Sequence, residues 1–173
     1  MSLILLRHTR PEGADGLCYG RTDLALADGF DAAVARLLED LPQVARILSS
    51  PLSRCRRLAE AIGAARNQPV EVDDRLIEMD FGRWENTSWD TIPRAEIDAW
   101  AQDFHHSKPH GGESVAELSA RAQAAFSAAV AGPVPALAVT HSGVIKAALA
   151  ATGIPGGWHA NTDFGDWRRI AWP

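Results

Sequence analysis

Apolar and polar positions along this chain fall into blocks whose spacing switches between strand-like and helix-like. Leu3-Ile4-Leu5-Leu6 is a short unbroken apolar run bounded by polar residues, the pattern of a buried strand. Phe30, Val34, Leu37, Leu38 and Leu41 recur at helical spacing within 27–41, and Pro42 closes that helix. Residues 44–48 predict a second strand. Ser49-Ser50-Pro51 then predicts the start of a helix reaching about residue 65, because serine caps and first-turn proline both favour a helix start.

A third, short strand is predicted at 70–72, and a helix at 89–104 that Pro93 breaks early. A loop rich in His, Pro and Gly follows at 105–112, then an Ala-rich helix at 113–130, a strand at 136–140, a helix at 142–152 and an edge strand within 163–172. Strands alternating with helices in this way predict a three-layer α/β/α sandwich with a mostly parallel central sheet. There is no internal repeat or long linker. The 173 residues are read as one domain with a small cap segment around 80–113.

Composition narrows the function classes. A formal net charge of -5 argues against nucleic acid or an acidic membrane surface as the main partner, while leaving room for a local basic pocket. No apolar segment approaches a membrane span, and no secretory leader pattern is visible, so a cytoplasmic location is expected. Cys18 and Cys55 form no metal-type cluster and are read as reduced thiols. Neither begins a Cys-x5-Arg sequence, since Leu24 and Ala61 stand at that spacing, which removes cysteine-based phosphate chemistry.

Four segments carry candidate chemistry. The first strand ends in Arg7-His8-Thr9, at the sheet edge where open α/β folds bind ligands. Arg54 falls in the first turn of the second helix, where free N–H groups and the helix dipole already favour an anion. His141 ends the strand at 136–140 just as His8 ends the first. Two imidazoles and two guanidiniums on one sheet edge would make a phosphate cradle. Glu78, Asp80 and Glu85 lie among apolar and aromatic neighbours and are all candidates for a general acid; spacing does not choose among them. His105, His106 and His110 suggest a metal site only weakly, as they sit in a predicted loop without supporting carboxylates or cysteines.

These segments together resemble the histidine phosphatase superfamily, in its phosphoglycerate-mutase-like branch. The matching features are Arg7-His8-Thr9 for an Arg-His-Gly strand end, Ser50 to Arg54 for a Ser-x-x-x-Arg helix start, Glu78 before Phe81-Gly82, and the late strand-end His141. Within the superfamily, Cys18 to Leu24, Glu78 to Glu85 and Gly111 to Ser114 resemble α-ribazole-phosphate phosphatases of cobalamin nucleotide-loop assembly.

The resemblance implies a phosphomonoesterase with His8 as nucleophile, Glu78 as proton donor to the leaving group and His141 beside them. It places Arg7, Arg54, Thr9 and Ser142 around the phosphate and Tyr19, Gly20, Arg21 and Trp84 against the substrate. No cofactor or metal is expected, because guanidiniums would do the work of a magnesium ion. The partner is a small-molecule phosphomonoester; a homodimer is compatible with the apolar content, although no self-complementary pattern marks one.

The chain also departs from the family. Thr9 replaces the usual glycine, and Ala14 and Asp15 stand where many members carry an asparagine, so Thr9 or Arg21 would have to substitute in phosphate recognition. Glu113 is read as an N-terminal helix residue favoured by the dipole. Trp89 and Trp100, with Trp84, are candidate stacking residues for an aromatic base, whereas Trp158, Trp167 and Trp172 are read as packing. A mutase is the nearest competitor, disfavoured by only 63 positions (141 minus 78) between acid and second histidine. A non-catalytic phospho-ligand binder is disfavoured because every chemical residue is present.

Overall fold

A computed structural model describes all 173 residues, Met1–Pro173. Its main sheet contains β1 (Ser2–Arg7), β3 (Arg46–Ser49), β4 (Val70–Val72), β6 (Ala136–Thr140) and β7 (Trp167–Ala171), in the order β4-β3-β6-β1-β7. All neighbours run parallel except β7, which pairs antiparallel with β1 as the edge strand. A separate two-stranded ribbon joins β2 (Leu17–Cys18) to β5 (Thr87–Ser88).

The period of two in the central strands builds the three layers. On one face Leu3, Leu5, Leu48, Ala136 and Ala138 join a core with α4 (Val115–Val130) and α5 (Ser142–Ala151). On the other, Ile4, Leu6, Ile47, Leu137 and Val139 pack against α1 (Phe30–Asp40) and α2 (Ser53–Arg66). Both faces are covered, which is why β1 and β6 read as continuous apolar runs and not as alternation. Truncating a fully buried residue such as Leu5 would cost about 2–5 kcal/mol.

Element bounds differ from the sequence reading at the ends, for local reasons. The first helix begins at Phe30 because Gly29 adopts φ 86° and turns the chain into it. The helix expected at 89–104 is a single 3-10 turn, Trp89–Thr91, then α3 (Arg94–Gln102), divided by Pro93. The cap expected from Ser49-Ser50-Pro51 is absent: Leu52 is the N-cap of α2, and the Asp23 carboxylate, from a distant loop, accepts the Ser53 N–H instead. Ser114 does cap α4, in a reciprocal capping box with Glu117. Glu113 therefore precedes that cap and lies outside the helix.

Above the sheet's carboxyl edge, Cys18, Trp84 and Ile92 form a third small core with Phe81, Ile97 and Trp100. Glu85 stitches this region together. It accepts hydrogen bonds from the N–H groups of Gly20, Arg21, Thr22 and Phe81 and from the Thr22 hydroxyl, at 2.6–3.2 Å. Burial alone would raise its pKa, but the Thr22, Gly20, Arg21 and Phe81 donors outweigh that and hold the carboxyl below its ordinary value. Replacing Glu85 with Ala strands these donors together, so Glu85→Ala should lower unfolding free energy by about 3 kcal/mol or more. Urea denaturation measures this; a loss under about 1 kcal/mol would refute the stitching role.

Candidate active site

Strand pairing brings the site together. Arg7 of β1 stands opposite Thr140 of β6, and the His8 N–H donates to the Thr140 carbonyl at 3.1 Å. Ser49 of β3 pairs with Val139 on the other side, and the Ser50 N–H donates to Val139 O at 3.0 Å. Three adjacent parallel strands thus deliver His8, His141 and Ser50 side by side, with Arg54 in the first turn of α2. The two imidazole rings meet edge to face with centroids 5.1 Å apart.

His8 is 2% exposed. Its Nδ1 lies 2.7 Å from the Thr9 carbonyl, which has no proton to give, so Nδ1–H is the donor and Nε2 keeps its lone pair. Burial lowers the His8 pKa to about 3, helped by the Arg54 charge and, less, by Arg7, against the opposing Thr9 bond. Burial also holds His141 well below the usual imidazole value, reinforced by its pairing with His8, beside which a second charge is disfavoured, and by the positive field of Arg54 and Arg121.

Both arginines are partly committed to protein carbonyls. Arg54, fully buried, donates from Nη1 to Thr22 O at 2.7 Å and from Nη2 to Gly20 O at 2.6 Å. Arg7 donates from Nη1 to Thr162 O at 2.8 Å and lies 3.9 Å above the Phe164 ring. In each the Nε–H is buried without a partner. Fixed guanidiniums with a spare donor, beside a deprotonated imidazole, suit a phosphoryl oxygen.

Of the three candidate carboxylates, only Glu78 lines the cleft. Its Oε1 accepts from Met79 N–H at 2.9 Å, and its Oε2 from Gly143 N–H at 3.0 Å, at the start of α5. A Cβ at Gly143 would lie 2.4 Å from Glu78 Oε1 and push the carboxyl out of this position. Glu85 is the loop staple, and Asp80 accepts from Gly82 N–H at 2.8 Å. A latch missed by sequence reading holds the Glu78 backbone. Arg121 donates to the carbonyls of Arg75, Ile77 and Glu78 while Glu113 grips it at 2.6 and 2.7 Å. Glu113 is thus an ion-pair partner of Arg121, not a dipole residue.

The cleft encloses about 870 Å3. Arg7, His8, Tyr19, Arg54, Glu78 and Ser142 line it, and Trp89, Trp100, Phe104, Trp158 and Phe164 supply much of its wall. Four sequence-based contacts lie elsewhere, and His141, fully buried with its ring against that of His8, does not itself line the cleft. Trp84 is 2% exposed and donates from Nε1 to Glu96 at 2.6 Å, so it is core to the aromatic cluster. Gly20 is buried where a Cβ would meet Met79 O at 1.8 Å; its glycine serves close packing. Arg21 is exposed and pairs loosely with Glu113 at 3.8 Å. Thr9 is buried off the cleft, and its backbone carbonyl, not its hydroxyl, touches the site through His8.

Trp158 packs against the core and Phe104 as expected and also lines the cleft, while Trp172 packs on Phe126 with ring centroids 5.2 Å apart. His105 and His106 are exposed, whereas His110 is buried against Trp84 at 4.9 Å between ring centroids, so the three do not converge on a metal position.

Comparison with known proteins agrees with this geometry. A profile of the histidine phosphatase superfamily (branch 1) matches residues 3–168. The chain is 33% identical over 172 residues to a glucosyl-3-phosphoglycerate phosphatase of Mycolicibacterium vanbaalenii, covering 88% of this chain and 75% of that one. It is 30% identical over 183 residues to the adenosylcobalamin/alpha-ribazole phosphatase of Escherichia coli strain K12, covering 98% and 89%. Its fold superposes on a mycobacterial glucosyl-3-phosphoglycerate phosphatase structure containing VO3 with a TM-score of 0.85, at 26% identity, over 98% of this chain and 92% of that one. The profile match spans nearly the whole chain, including the segments that carry His8, Arg54 and His141: this protein belongs to branch 1 of the histidine phosphatase superfamily.

Proposed function

We propose that this protein hydrolyses phosphomonoesters through a phosphohistidine on His8, and that its substrate is α-ribazole 5′-phosphate. The observation that carries the chemistry is the pair of unpartnered, buried Arg7 and Arg54 Nε–H groups beside an imidazole whose free lone pair is on Nε2. His8 Nε2 attacks phosphorus and the ester P–O bond breaks. Glu78 gives its proton to the departing alkoxide. Water then attacks phosphorus, Glu78 takes a proton from it, the P–N bond breaks and inorganic phosphate leaves. Splitting the displacement in two eases each half. The guanidiniums are fixed before charge develops on the transferring oxygens, so little reorganisation accompanies the step.

The aromatic wall supports the choice of substrate. Trp89, Trp100, Phe104 and Trp158 offer faces and edges to a flat apolar group, as the benzimidazole of α-ribazole is. The Escherichia coli relative is an adenosylcobalamin/alpha-ribazole phosphatase. A second reading rests on Lys146, His105 and His159, three basic side chains in the same cleft, which would suit the carboxylate of a phosphoglycerate ester. The Mycolicibacterium relative is a glucosyl-3-phosphoglycerate phosphatase.

Phosphate release from α-ribazole 5′-phosphate, glucosyl-3-phosphoglycerate, 3-phosphoglycerate, sugar phosphates and nucleotides decides between them. A kcat/KM for α-ribazole 5′-phosphate about a hundredfold above the rest, near 2.7 kcal/mol of transition-state selectivity, is expected. A lead for the glycerate ester would select the second reading, and uniformly low rates would make this a broad phosphomonoesterase.

His8→Ala should cut turnover on the order of 10^3-fold or more and abolish the phosphohistidine trapped by rapid quench. Glu78→Gln should slow alkyl esters by about 10^2-fold while slowing p-nitrophenyl phosphate, whose leaving group needs no proton, far less. Equal slowing of both would remove Glu78 from the acid role.

The depressed His8 pKa sets a pH expectation. Its imidazole is neutral in the fold down to about 3 but takes a proton near 6.5 once unfolded. The unfolded chain therefore binds more protons in that window, and stability present above 6.5 is lost as pH falls toward 3. Thermal midpoints should decline across this range, and His8→Asn should flatten part of the decline. An unchanged slope would show that His8 is not held neutral.

A further inference from the structure

Ser50 has no capping duty, since α2 begins at Ser53 with Leu52 as its N-cap. Its side chain instead lies against His141. Both residues are 0% exposed, and Ser50 Oγ is 2.7 Å from His141 Nε2. Proton accounting sets the direction of that bond. The Leu52 N–H points at Ser50 Oγ from 3.4 Å, occupying an acceptor lobe of the hydroxyl. The neighbouring Ser49 hydroxyl donates to Ser50 O at 2.9 Å, and the Cys55 thiol donates to Thr140 O at 3.5 Å. Cys55 Sγ also lies 3.4 Å from Nε2, but with its proton directed to Thr140 O, Nε2 is the acceptor for the Ser50 proton. A neutral imidazole that accepts at Nε2 carries its hydrogen on Nδ1. His141 Nδ1 has no oxygen or nitrogen partner in the protein; its nearest polar neighbour is Cys55 Sγ at 3.9 Å. A distant sulfur is a weak acceptor, so this N–H, on a ring 5.1 Å from the His8 ring, gains a stronger bond when a ligand oxygen takes it.

We propose that Ser50 is a positioning residue: by donating to Nε2 it fixes His141 as the Nδ1–H tautomer, whose free N–H is offered to an oxygen of the phosphoryl group at His8. The proposal rests on the phosphoryl-transfer reading above. It accounts for a serine at the end of β3, where helix capping does not. Ser50 stays clear of substrate; His141 makes the contact.

Long-range proton–nitrogen correlation spectra of 15N-histidine-labelled protein test this directly, with the His141 signals assigned by their loss in His141→Gln. The wild type should show a neutral imidazole protonated at Nδ1, and inorganic phosphate should shift that N–H resonance. Ser50→Ala should lose the single tautomer and lower kcat on p-nitrophenyl phosphate about ten- to a hundredfold, the range for removing an orienting partner behind an active-site histidine. Ser50→Thr, which keeps the hydroxyl, should restore both. A wild-type His141 protonated at Nε2 would overturn the proposal whatever the variants do, as would a Ser50→Ala protein with unchanged tautomer and rate. Failure to trap phosphohistidine in a wild type with the expected tautomer would instead count against the catalytic reading alone.

Discussion

The parallel pairing of β1, β6 and β3 is the constraint on which everything else depends. Register fixes it: Arg7 opposite Thr140, and Ser49 opposite Val139. Because the three strands run the same way and end at the same level, chemistry-bearing residues placed one position past each end become neighbours. A one-residue slip would move the layered apolar set to the wrong faces, so the two hydrophobic cores that stabilise the sheet also hold His8 against His141. Stability and catalytic geometry share one set of contacts.

Around that line of strand ends the site is built from polar groups satisfied by backbone. Arg54 spends two N–H groups on the carbonyls of Gly20 and Thr22, the same loop whose N–H groups Glu85 gathers. Arg121 does the same for the segment that carries Glu78. Buried charges cost much desolvation energy unless fully bonded. Here the bonds go to loops that have no regular structure of their own. Charge is thereby used to hold irregular backbone rigid, and rigid backbone aims the remaining N–H groups of the cradle.

Much of this was legible in the sequence because it follows short-range rules. Apolar runs two-sided in burial, helical spacing in the layers and histidines at strand ends are local patterns, and they led to the sandwich and to His8, Arg54 and His141 on one sheet edge; Glu78 was told from Asp80 and Glu85 by the family resemblance alone. The misreadings all turn on contacts between distant segments. Ser50 satisfied the local rule for a cap yet bonds a residue 91 positions away. Trp84 was assigned to substrate because an aromatic residue suits both stacking and core, and only the position of Glu96 and the burial decide. Glu113 finds Arg121 eight residues on, across a helix start. Trp158 stands in a single 3-10 turn and Phe164 in a loop, both too short for a period to reveal which way they face.

The cleft has two origins. The residues proposed to react sit at the ends of sheet strands, in the first turns of the helices behind them and, for Glu78, in the loop after the Asp74–Leu76 turn. Most of the aromatic wall comes from two insertions, 81–104 and 158–164, which leave the sheet and return to it. Such an arrangement is separable: the insertions are open to exchange, lengthening or shuffling among descendants while the hydrolytic apparatus is inherited intact. Closely similar catalytic floors can thus be roofed for a nucleoside in one lineage and for a sugar acid in another.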